Sequence, residues 1–304
     1  MIEFDEFGPE KILEVYDSKT DMHGFVVIFN TALGPAKGGI RMSPSASKEE
    51  AFGLARAMTW KCAMAGLPFG GGKSVIIADP KKITPEQKKA IVLSFAKGIK
   101  PISPSLYVAA PDIAMAEEEM RIIAKENGLK SVTGKPADMG GIPHELGSTG
   151  FGVAQATKVA AEFLKINIKG ATVAIEGFGN VGTFTMKFLT ELGAKVVAVS
   201  DSHGMIYCKN GLDYNKLMKV KKDTGSVTNY PGGEKHDARG LFERAVDFVV
   251  PGALPDVITK DNVDKIKARC IVEAANIPMT PEIEEVLHKK GVLVVPDFVA
   301  NAAE

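Results

Sequence analysis

The sequence has few cysteines and few histidines, which limits the kinds of site that it can form. The three cysteines, Cys62, Cys208 and Cys270, lie far apart and form no C-x-x-C pair. This spacing argues against a disulfide framework and a cysteine-based zinc site, and it is typical of a reducing compartment. The five histidines are also scattered. We therefore expect a cytoplasmic protein without a bound metal.

The sequence also lacks an excess of either charge and any long apolar run. The 37 Lys and Arg residues balance the 37 Asp and Glu residues, so nothing favours nucleic acid or an anionic membrane as a partner. No apolar run approaches the roughly 20 residues of a membrane-spanning helix, and the acidic first residues do not resemble a signal peptide. With 304 residues, the chain is long enough for two globular domains.

One stretch, residues 34–74, carries three lysines that are candidates for binding an anion. Lys37 and Lys73 lie among glycines, and Lys61 lies in an otherwise apolar segment. A lysine in apolar surroundings extends to the surface, pairs with an anion or has a lowered pKa. Each could simply be a solvated surface charge, whereas convergence at one sheet edge would indicate a binding site.

The glycines beside Lys73 resemble the end of a phosphate-binding P-loop, but the match fails. The P-loop pattern requires a glycine where this chain has Leu67, so an ATPase function is disfavoured. We interpret Gly70, Gly71 and Gly72 instead as positions where a substrate approaches the backbone.

Strand and helix patterns alternate through the first half of the chain and predict an α/β domain. A Gly- and Pro-rich segment, residues 133–152, predicts the boundary between a domain at 1–150 and a second at 151–304. The elements predicted before the boundary are a helix at 3–20, a strand at 25–29, a helix at 48–65 that Ser47 caps, a strand at 74–78, a helix at 85–98, a strand at 106–110 and a helix at 117–127.

The second half contains a dinucleotide-binding pattern in its expected context. After a predicted helix at 153–164, the glycines of G-x-G-x-x-G follow a strand at 171–176 and open a helix that ends at 192. Asp201 ends the next strand, 195–200, at about the distance expected for a carboxylate that binds ribose hydroxyls. Further strands are predicted at 247–250, 270–273 and 292–295, and Asn276 and Asn301 follow the last two, either as nicotinamide contacts or as turn residues.

A dinucleotide domain joined to a lysine-rich α/β domain suggests hydride transfer on an anionic substrate. The carboxylate of Asp112, after a predicted strand and Pro111, could exchange protons. In the order and wording of its motifs, the chain resembles the glutamate/leucine/phenylalanine/valine dehydrogenases over nearly its whole length. The shared motifs are G-P-A-K-G-G-I-R-M, M-T-W-K-C-A, L-P-F-G-G-G-K, A-P-D, V-T-G-K-P, S-T-G-F-G-V, G-F-G-N-V-G, V-S-D-S, E-A-A-N-I-P-M-T-P and V-V-P-D-F-V-A-N-A.

The resemblance implies an N-terminal substrate and oligomerisation domain, a Rossmann domain that binds NAD or NADP, and an active site in the cleft between them. It implies that Lys61 holds the substrate α-carboxylate beside Met58 and Gly38, that Lys73 activates water, and that Asp112 exchanges protons with the amino group. The implied products are a 2-oxo acid and ammonium. The candidate cofactor-binding residues are Thr149, Gly177, Phe178, Gly179, Asn180, Val181, Gly182, Asp201, Ser202, Asn276 and Asn301.

Individual residues of the sequence bear on the choice of substrate and of cofactor. Lys37 favours glutamate because glutamate dehydrogenases resemble this chain in having lysine there, whereas the segment that starts at Val15 resembles the leucine-type branch. Asp201 favours NAD, whereas Ser202 and His203 could hold the phosphate of NADP. Relatives form hexamers or octamers and continue beyond the last residues seen here, so we expect a homo-oligomer and either a shortened chain or a naturally short member. A nucleotide-binding protein without catalysis is the alternative function.

Overall fold

The chain divides into two units, residues 1–146 and 147–304, each of which has its own β-sheet. The computed structural model describes residues 4–142 and 147–302. The sequence-based boundary at 150 lies inside a helix of the second unit, because Ser148, Thr149 and Gly150 form its first turn. Part of the Gly- and Pro-rich segment, residues 143–146, lies outside the described residues. No helix in the described ranges is long and apolar enough to span a membrane.

The first unit contains a mixed five-stranded sheet. Its strands are β1 Lys11–Asp17, β2 Met22–Asn30, β3 Ala36–Ser43, β4 Gly70–Ile77 and β5 Tyr107–Ala110. Their spatial order is β1-β2-β4-β3-β5. β3 pairs in parallel with β4 on one side and β5 on the other, whereas β2 is antiparallel to both β1 and β4. β3 therefore lies between the two strands that carry or precede Lys73 and Asp112.

Three helices cover the two faces of this sheet. They are α1 Lys48–Met64, α2 Pro85–Ile99 and α3 Glu117–Asn127. α1 packs on one face over a small core that includes Phe29 and Val75. α2 and α3 cover the other face over a larger core that includes Phe95 and Met120. The Ser47 hydroxyl accepts a hydrogen bond from the N–H of Glu50 and confirms the predicted start of α1.

Two expectations for the first unit were wrong. The helix predicted at 3–20 is replaced by β1, which pairs with β2 and packs Leu13 and Val15 on the larger core. The apolar residues of this segment fit either period, and pairing along β2 selects the strand. The second error concerns Gly70, Gly71 and Gly72, which lie inside β4 and fit its close packing. A Cβ at Gly71 would lie 2.0 Å from the Thr59 hydroxyl of α1, so the protein itself occupies the space assigned to a substrate.

The second unit contains a seven-stranded sheet in the order β12-β11-β10-β6-β7-β8-β9. The first five strands in that order are parallel, and β8 and β9 extend the sheet in antiparallel fashion. The strands are β6 Thr172–Glu176, β7 Lys195–Asp201, β8 Gly204–Tyr207, β9 Glu234–His236, β10 Phe248–Pro251, β11 Cys270–Val272 and β12 Leu293–Val295. The helices are α4 Ser148–Phe163, α5 Asn180–Glu191, α6 Tyr214–Thr224, α7 Pro281–Lys289 and α8 Asp297–Ala300.

This order creates a switch point at the carboxyl end of β6. The chain passes from β6 to β7 on one side, and β10 pairs with the other side of β6. Apolar cores lie on both faces of the sheet, one beneath α4 and α5 and the other beneath α7. Ligands of such sheets bind where the strand order reverses. The five predicted strands of this Rossmann-type sheet are confirmed.

Candidate active site

Lys73 and Asp112 form a buried ion pair in the first unit. Lys73 lies in the middle of β4 and is 7% exposed, and its Nζ donates to Oδ2 of Asp112, which follows β5. Gly39 of β3 lies between them. A Cβ at Gly39 would lie 2.9 Å from the Asp112 Cβ and 3.1 Å from the Lys73 Nζ. The glycine therefore leaves the space in which the pair forms.

The surrounding charges keep Asp112 ionised. Burial by itself favours the protonated acid, but Lys73 and the nearby Arg41 outweigh burial and hold the pKa of Asp112 below its usual value. Nε of Arg41 lies 3.5 Å from Oδ2 of Asp112. Sequence reasoning missed Arg41, although its position two residues after Gly39 on a strand places both on the same face.

Lys37 and Lys61 lie near the same face of the sheet. Lys37 lies two residues before Gly39 on β3, so its side chain lies on the same face of the sheet as the ion pair. Lys61 lies on α1, which covers that face, and is 7% exposed. Both lysines act on one thiol: burial raises the pKa of Cys62, and the positive charges of Lys37 and Lys61 oppose the rise. The three lysines predicted from the sequence are thus brought to one side of one sheet.

The other two predicted substrate contacts have different positions. Met58 is half-buried on α1, one turn before Lys61, where a side chain can line the same side of the helix. Gly38 is buried, and its carbonyl accepts a hydrogen bond of 2.8 Å from the Tyr107 hydroxyl. A Cβ at Gly38 would lie 1.6 Å from the carbonyl oxygen of Gly72, so Gly38 serves the packing of β3 against β4.

The three glycines after β6 form a turn that suits a pyrophosphate. Gly177 has φ of +89°, and a Cβ there would lie 2.6 Å from the Cβ of Ala253. A Cβ at Gly182 would lie 2.0 Å from the carbonyl oxygen of Gly177, so this glycine permits close packing of helix and turn. Gly179 is different, because a Cβ there would meet no described atom within 4 Å. α5 then begins at Asn180 without a side-chain cap, and its N-terminus can attract an anion.

Of three other predicted cofactor contacts, Phe178 and Thr149 are buried and Val181 is partly buried. Phe178 is 5% exposed and belongs to the core beneath α4 and α5, against which Val181 also packs. These two residues can therefore present mainly their backbone atoms to a ligand. Thr149 is 8% exposed in the first turn of α4.

Asp201, the predicted ribose contact, is hydrogen-bonded within the second unit. Its side chain is 5% exposed, and Oδ2 accepts hydrogen bonds from Lys221 Nζ at 2.7 Å and Val227 N at 2.8 Å. Oδ1 accepts from His203 N at 2.9 Å and from Ser226 Oγ at 3.3 Å. A carboxylate offers about four lone-pair positions, so a ribose hydroxyl that binds Asp201 would replace one of these four internal donors. Burial opposes ionisation, but these donors outweigh it and lower the pKa of Asp201.

Ser202 and His203 are both exposed at the end of the same strand. The hydroxyl of Ser202 lies 3.3 Å from Nδ1 of His203. These two side chains, unlike that of Asp201, are accessible to a ligand.

The two predicted asparagines are in contact. Nδ2 of Asn301 donates to Oδ1 of Asn276 at 3.0 Å. Asn301 is 3% exposed, and its Oδ1 has no hydrogen-bond partner among residues 4–142 and 147–302. An unpaired buried amide oxygen fits the N–H of a carboxamide such as that of nicotinamide.

Two buried glutamates near the ends of the parallel strands were not found from the sequence. Glu176, the last residue of β6, accepts hydrogen bonds from the N–H groups of Gly252 at 2.9 Å and Ala253 at 2.8 Å. Burial raises its pKa. Glu273 follows β11, and burial together with Glu284 and Asp297 raises its pKa to about 8. The only sequence signal would have been an acidic residue at the end of an apolar run.

Comparison with known proteins follows the same division of the chain. A family model described as glutamate/leucine/phenylalanine/valine dehydrogenase matches residues 140–303, and the family's N-terminal model, described as a dimerisation domain, matches residues 9–128. The glutamate dehydrogenase of Aeropyrum pernix is 41% identical over 97% of this chain and 74% of its own length. An NADP-specific glutamate dehydrogenase of Saccharolobus shibatae is 40% identical over 97% and 73%. An NAD-specific glutamate dehydrogenase of Staphylococcus aureus is 39% identical over 92% and 69%.

Solved structures that resemble this chain are also glutamate dehydrogenases. The hetero-hexameric glutamate dehydrogenase of Thermus thermophilus, in a leucine-bound form, has a TM-score of 0.83 and 29% identity over 97% of this chain and 74% of that chain. The glutamate dehydrogenase of Peptoniphilus asaccharolyticus has a TM-score of 0.83 and 30% identity over 97% and 75%. With the lysine-lined sheet face and the glycine turn after β6, these matches establish that the chain belongs to the glutamate/leucine/phenylalanine/valine dehydrogenase family.

Proposed function

We propose that this chain catalyses the reversible oxidative deamination of L-glutamate to 2-oxoglutarate and ammonium, with NAD or NADP as cofactor. The observation that carries the proposal is the Lys73–Asp112 ion pair on the sheet face that also bears Lys37 and lies beneath Lys61. Glutamate has two carboxylates and one amino group. Two lysines beyond the catalytic pair match the two carboxylates in number and in charge.

Each of the four residues has a distinct role in this proposal. Lys61 binds the α-carboxylate, and Lys37 binds the side-chain carboxylate. Asp112 accepts a proton from the substrate amino group, because it is held as a carboxylate. Bound NAD(P) supplies the hydride acceptor. After releasing its own proton, Lys73 takes a proton from the water that attacks the resulting imine carbon, and Asp112 returns a proton to the nitrogen. The carbinolamine then loses its hydroxyl proton as the C–N bond breaks, and the departing ammonia takes up that proton, so that ammonium and the 2-oxo acid form.

Lys37 distinguishes glutamate from a branched-chain substrate. A leucine side chain beside Lys37 would displace water from the ammonium group without providing a charged partner from the ligand. The γ-carboxylate of glutamate supplies that partner. Replacing Lys37 with leucine should therefore weaken glutamate binding and improve the binding of branched-chain amino acids.

The second unit supplies groups that fit a dinucleotide. The open space at Gly179 and the N-terminus of α5 suit the pyrophosphate, and Oδ1 of Asn301 suits a carboxamide. The carboxylate of Asp201 is paired with Lys221, so it repels a 2′-phosphate less than an isolated carboxylate would. Exposed Ser202 is available to a phosphate group. We therefore infer that the chain accepts both NAD and NADP.

We further infer that the protein is a cytoplasmic homo-oligomer. β1 forms one edge of the first sheet, and the side chain of Tyr16 on it is 61% exposed. An open strand edge with an exposed aromatic residue can pair with a second copy. The N-terminal family model is itself described as a dimerisation domain. Light scattering tests this inference, and a monomer at micromolar concentration would contradict it.

The main experiment measures oxidation of NADH and NADPH with ammonium and either 2-oxoglutarate or 2-oxoisocaproate. We expect turnover with 2-oxoglutarate that is lost in Lys73→Ala and retained in Lys81→Ala, a matched control at an exposed lysine. Turnover only with 2-oxoisocaproate would show that the substrate assignment from Lys37 is wrong. Nucleotide binding without turnover on either acid would favour the non-catalytic alternative.

A further inference from the structure

Arg41 links the Lys73–Asp112 ion pair to Glu50 on α1. The guanidinium lies between two carboxylates: its Nε is 3.5 Å from Oδ2 of Asp112, and its Nη1 is 2.5 Å from Oε1 of Glu50. The Arg41 side chain is 17% exposed, and that of Asp112 is 18% exposed. A row of alternating charges thus runs from α1 to β4, and its members in order are Glu50, Arg41, Asp112 and Lys73.

In the proposed reaction, Asp112 loses the neighbouring positive charge of Lys73, and Arg41 can replace it. Lys73 must give up its proton in order to act as a base, and it then ceases to balance the charge of Asp112. A carboxylate as buried as Asp112 tends to bind a proton when its cation is removed. Arginine stays protonated at any pH at which proteins are folded, so the charge of Arg41 persists when that of Lys73 does not.

We propose that Arg41 is a positioning residue that keeps Asp112 ionised while Lys73 is neutral. The inference rests on the proposed function, because it assigns Lys73 and Asp112 to proton transfer. The Nε–H of Arg41 is buried and has no hydrogen-bond partner among the described residues, although Asp112 lies within ion-pair distance. This N–H can donate a hydrogen bond to Asp112 once Lys73 has lost its charge.

Two further groups among the described residues act on Asp112, and neither carries a positive charge. Tyr107 of β5 is buried and neutral, because burial and the nearby charge of Asp112 both raise the pKa of its phenol. The backbone N–H of Ile113 donates to Oδ1 at 2.8 Å and carries no net charge. Glu50 holds the far side of the guanidinium from α1, so it fixes the position of Arg41 and partly offsets its charge.

The first test is the dependence of kcat/KM for oxidative deamination on pH. In Arg41→Met, the fall in activity toward low pH should shift upward by about one pH unit, because a removed neighbouring cation raises a carboxyl pKa by about that much or more. Arg41→Lys should largely restore the wild-type profile. Arg56→Met, which removes an exposed arginine from α1, is the matched control and should leave the profile unchanged.

Two results would overturn the proposal in this assay. An equal loss of activity at every pH would show that Arg41 only supports packing, and a raised KM with unchanged kcat would show that it binds substrate. If Arg41→Met fails to fold, Glu50→Gln gives an independent test. Removing that negative charge should move the acidic limb to lower pH, and a limb that stays fixed or moves upward would contradict the inference.

A second test does not require turnover and so separates this inference from the proposed function. Infrared absorption of protonated carboxyl groups is compared between Lys73→Met and the Lys73→Met/Arg41→Met double variant near pH 6. The double variant should show one additional protonated carboxyl, and that signal should disappear when Asp112→Asn is added. Equal spectra would refute the role of Arg41, whereas inactivity of the wild-type enzyme with the expected spectra would refute only the proposed reaction.

Discussion

Replacing Glu273 with glutamine should make the stability of the protein less sensitive to alkaline pH. Glu273 is 1% exposed, and its Oε2 accepts a hydrogen bond of 2.9 Å from the N–H of Asp297. Its Oε1 is buried and has no hydrogen-bond partner within the described ranges. Burial and the carboxylates of Glu284 and Asp297 raise the pKa of Glu273 from 4.5 to about 8. Glu273 is therefore a protonated acid in the folded protein at neutral pH.

The sign and size of the effect follow from proton linkage. Between pH 4.5 and about 8, the folded state holds the Glu273 proton and the unfolded state does not. The free energy of unfolding therefore falls as the pH rises through that range. At about 1.4 kcal/mol for each unit of pKa, the full difference amounts to about 5 kcal/mol above pH 8. Glutamine does not titrate and should avoid this loss, while near pH 4.5 it should resemble the protonated acid.

The assay is urea unfolding of both proteins below pH 5 and near pH 9, followed by circular dichroism. Hydrogen exchange of the peptide that contains β11 gives the local stability. Glu273→Gln should be close to wild type at the lower pH and more stable by several kcal/mol at the higher pH. Glu285→Gln, which removes an exposed carboxylate from α7, is the control and should show no such gap. A gap that is the same at both pH values, or larger at low pH, would refute the argument.

Three further predictions concern the two candidate sites. Gly39→Ala should reduce turnover by about a hundredfold, because the new Cβ displaces both Lys73 and Asp112. The control is Gly53→Ala in an open part of α1, which should keep activity and raise the free energy of unfolding by about 1 kcal/mol. Lys221→Met should lower affinity for NADP more than for NAD, measured as two dissociation constants, because the Asp201 carboxylate loses its cation; equal losses would contradict this. Glu176→Ala should weaken binding of both nucleotides, because two loop N–H groups lose their acceptor, while Glu176→Gln should retain most of the affinity in the same titration.

The sequence determined the elements whose signals are local. The Ser47 cap predicted the start of α1, and alternation of apolar runs with turn residues predicted β2 and the parallel strands of the second unit. The glycine pattern between β6 and α5 predicted the dinucleotide turn, since Gly177 provides the positive φ, Gly182 permits close packing and Gly179 leaves open space. The spacing of motifs was enough to identify the resemblance to a dehydrogenase family.

The elements and charge states that depend on distant partners follow from the fold and not from local sequence. Residues 11–17 form a strand because they pair with the edge of β2. The glycine-rich β3 is a strand because it pairs with β4 on one side and β5 on the other. Lys73 and Asp112, 39 positions apart in the chain, meet because β3 separates their strands at a glycine. The pairing of Asp201 with Lys221 and the protonation of Glu273 depend on burial and on neighbours that local patterns do not encode.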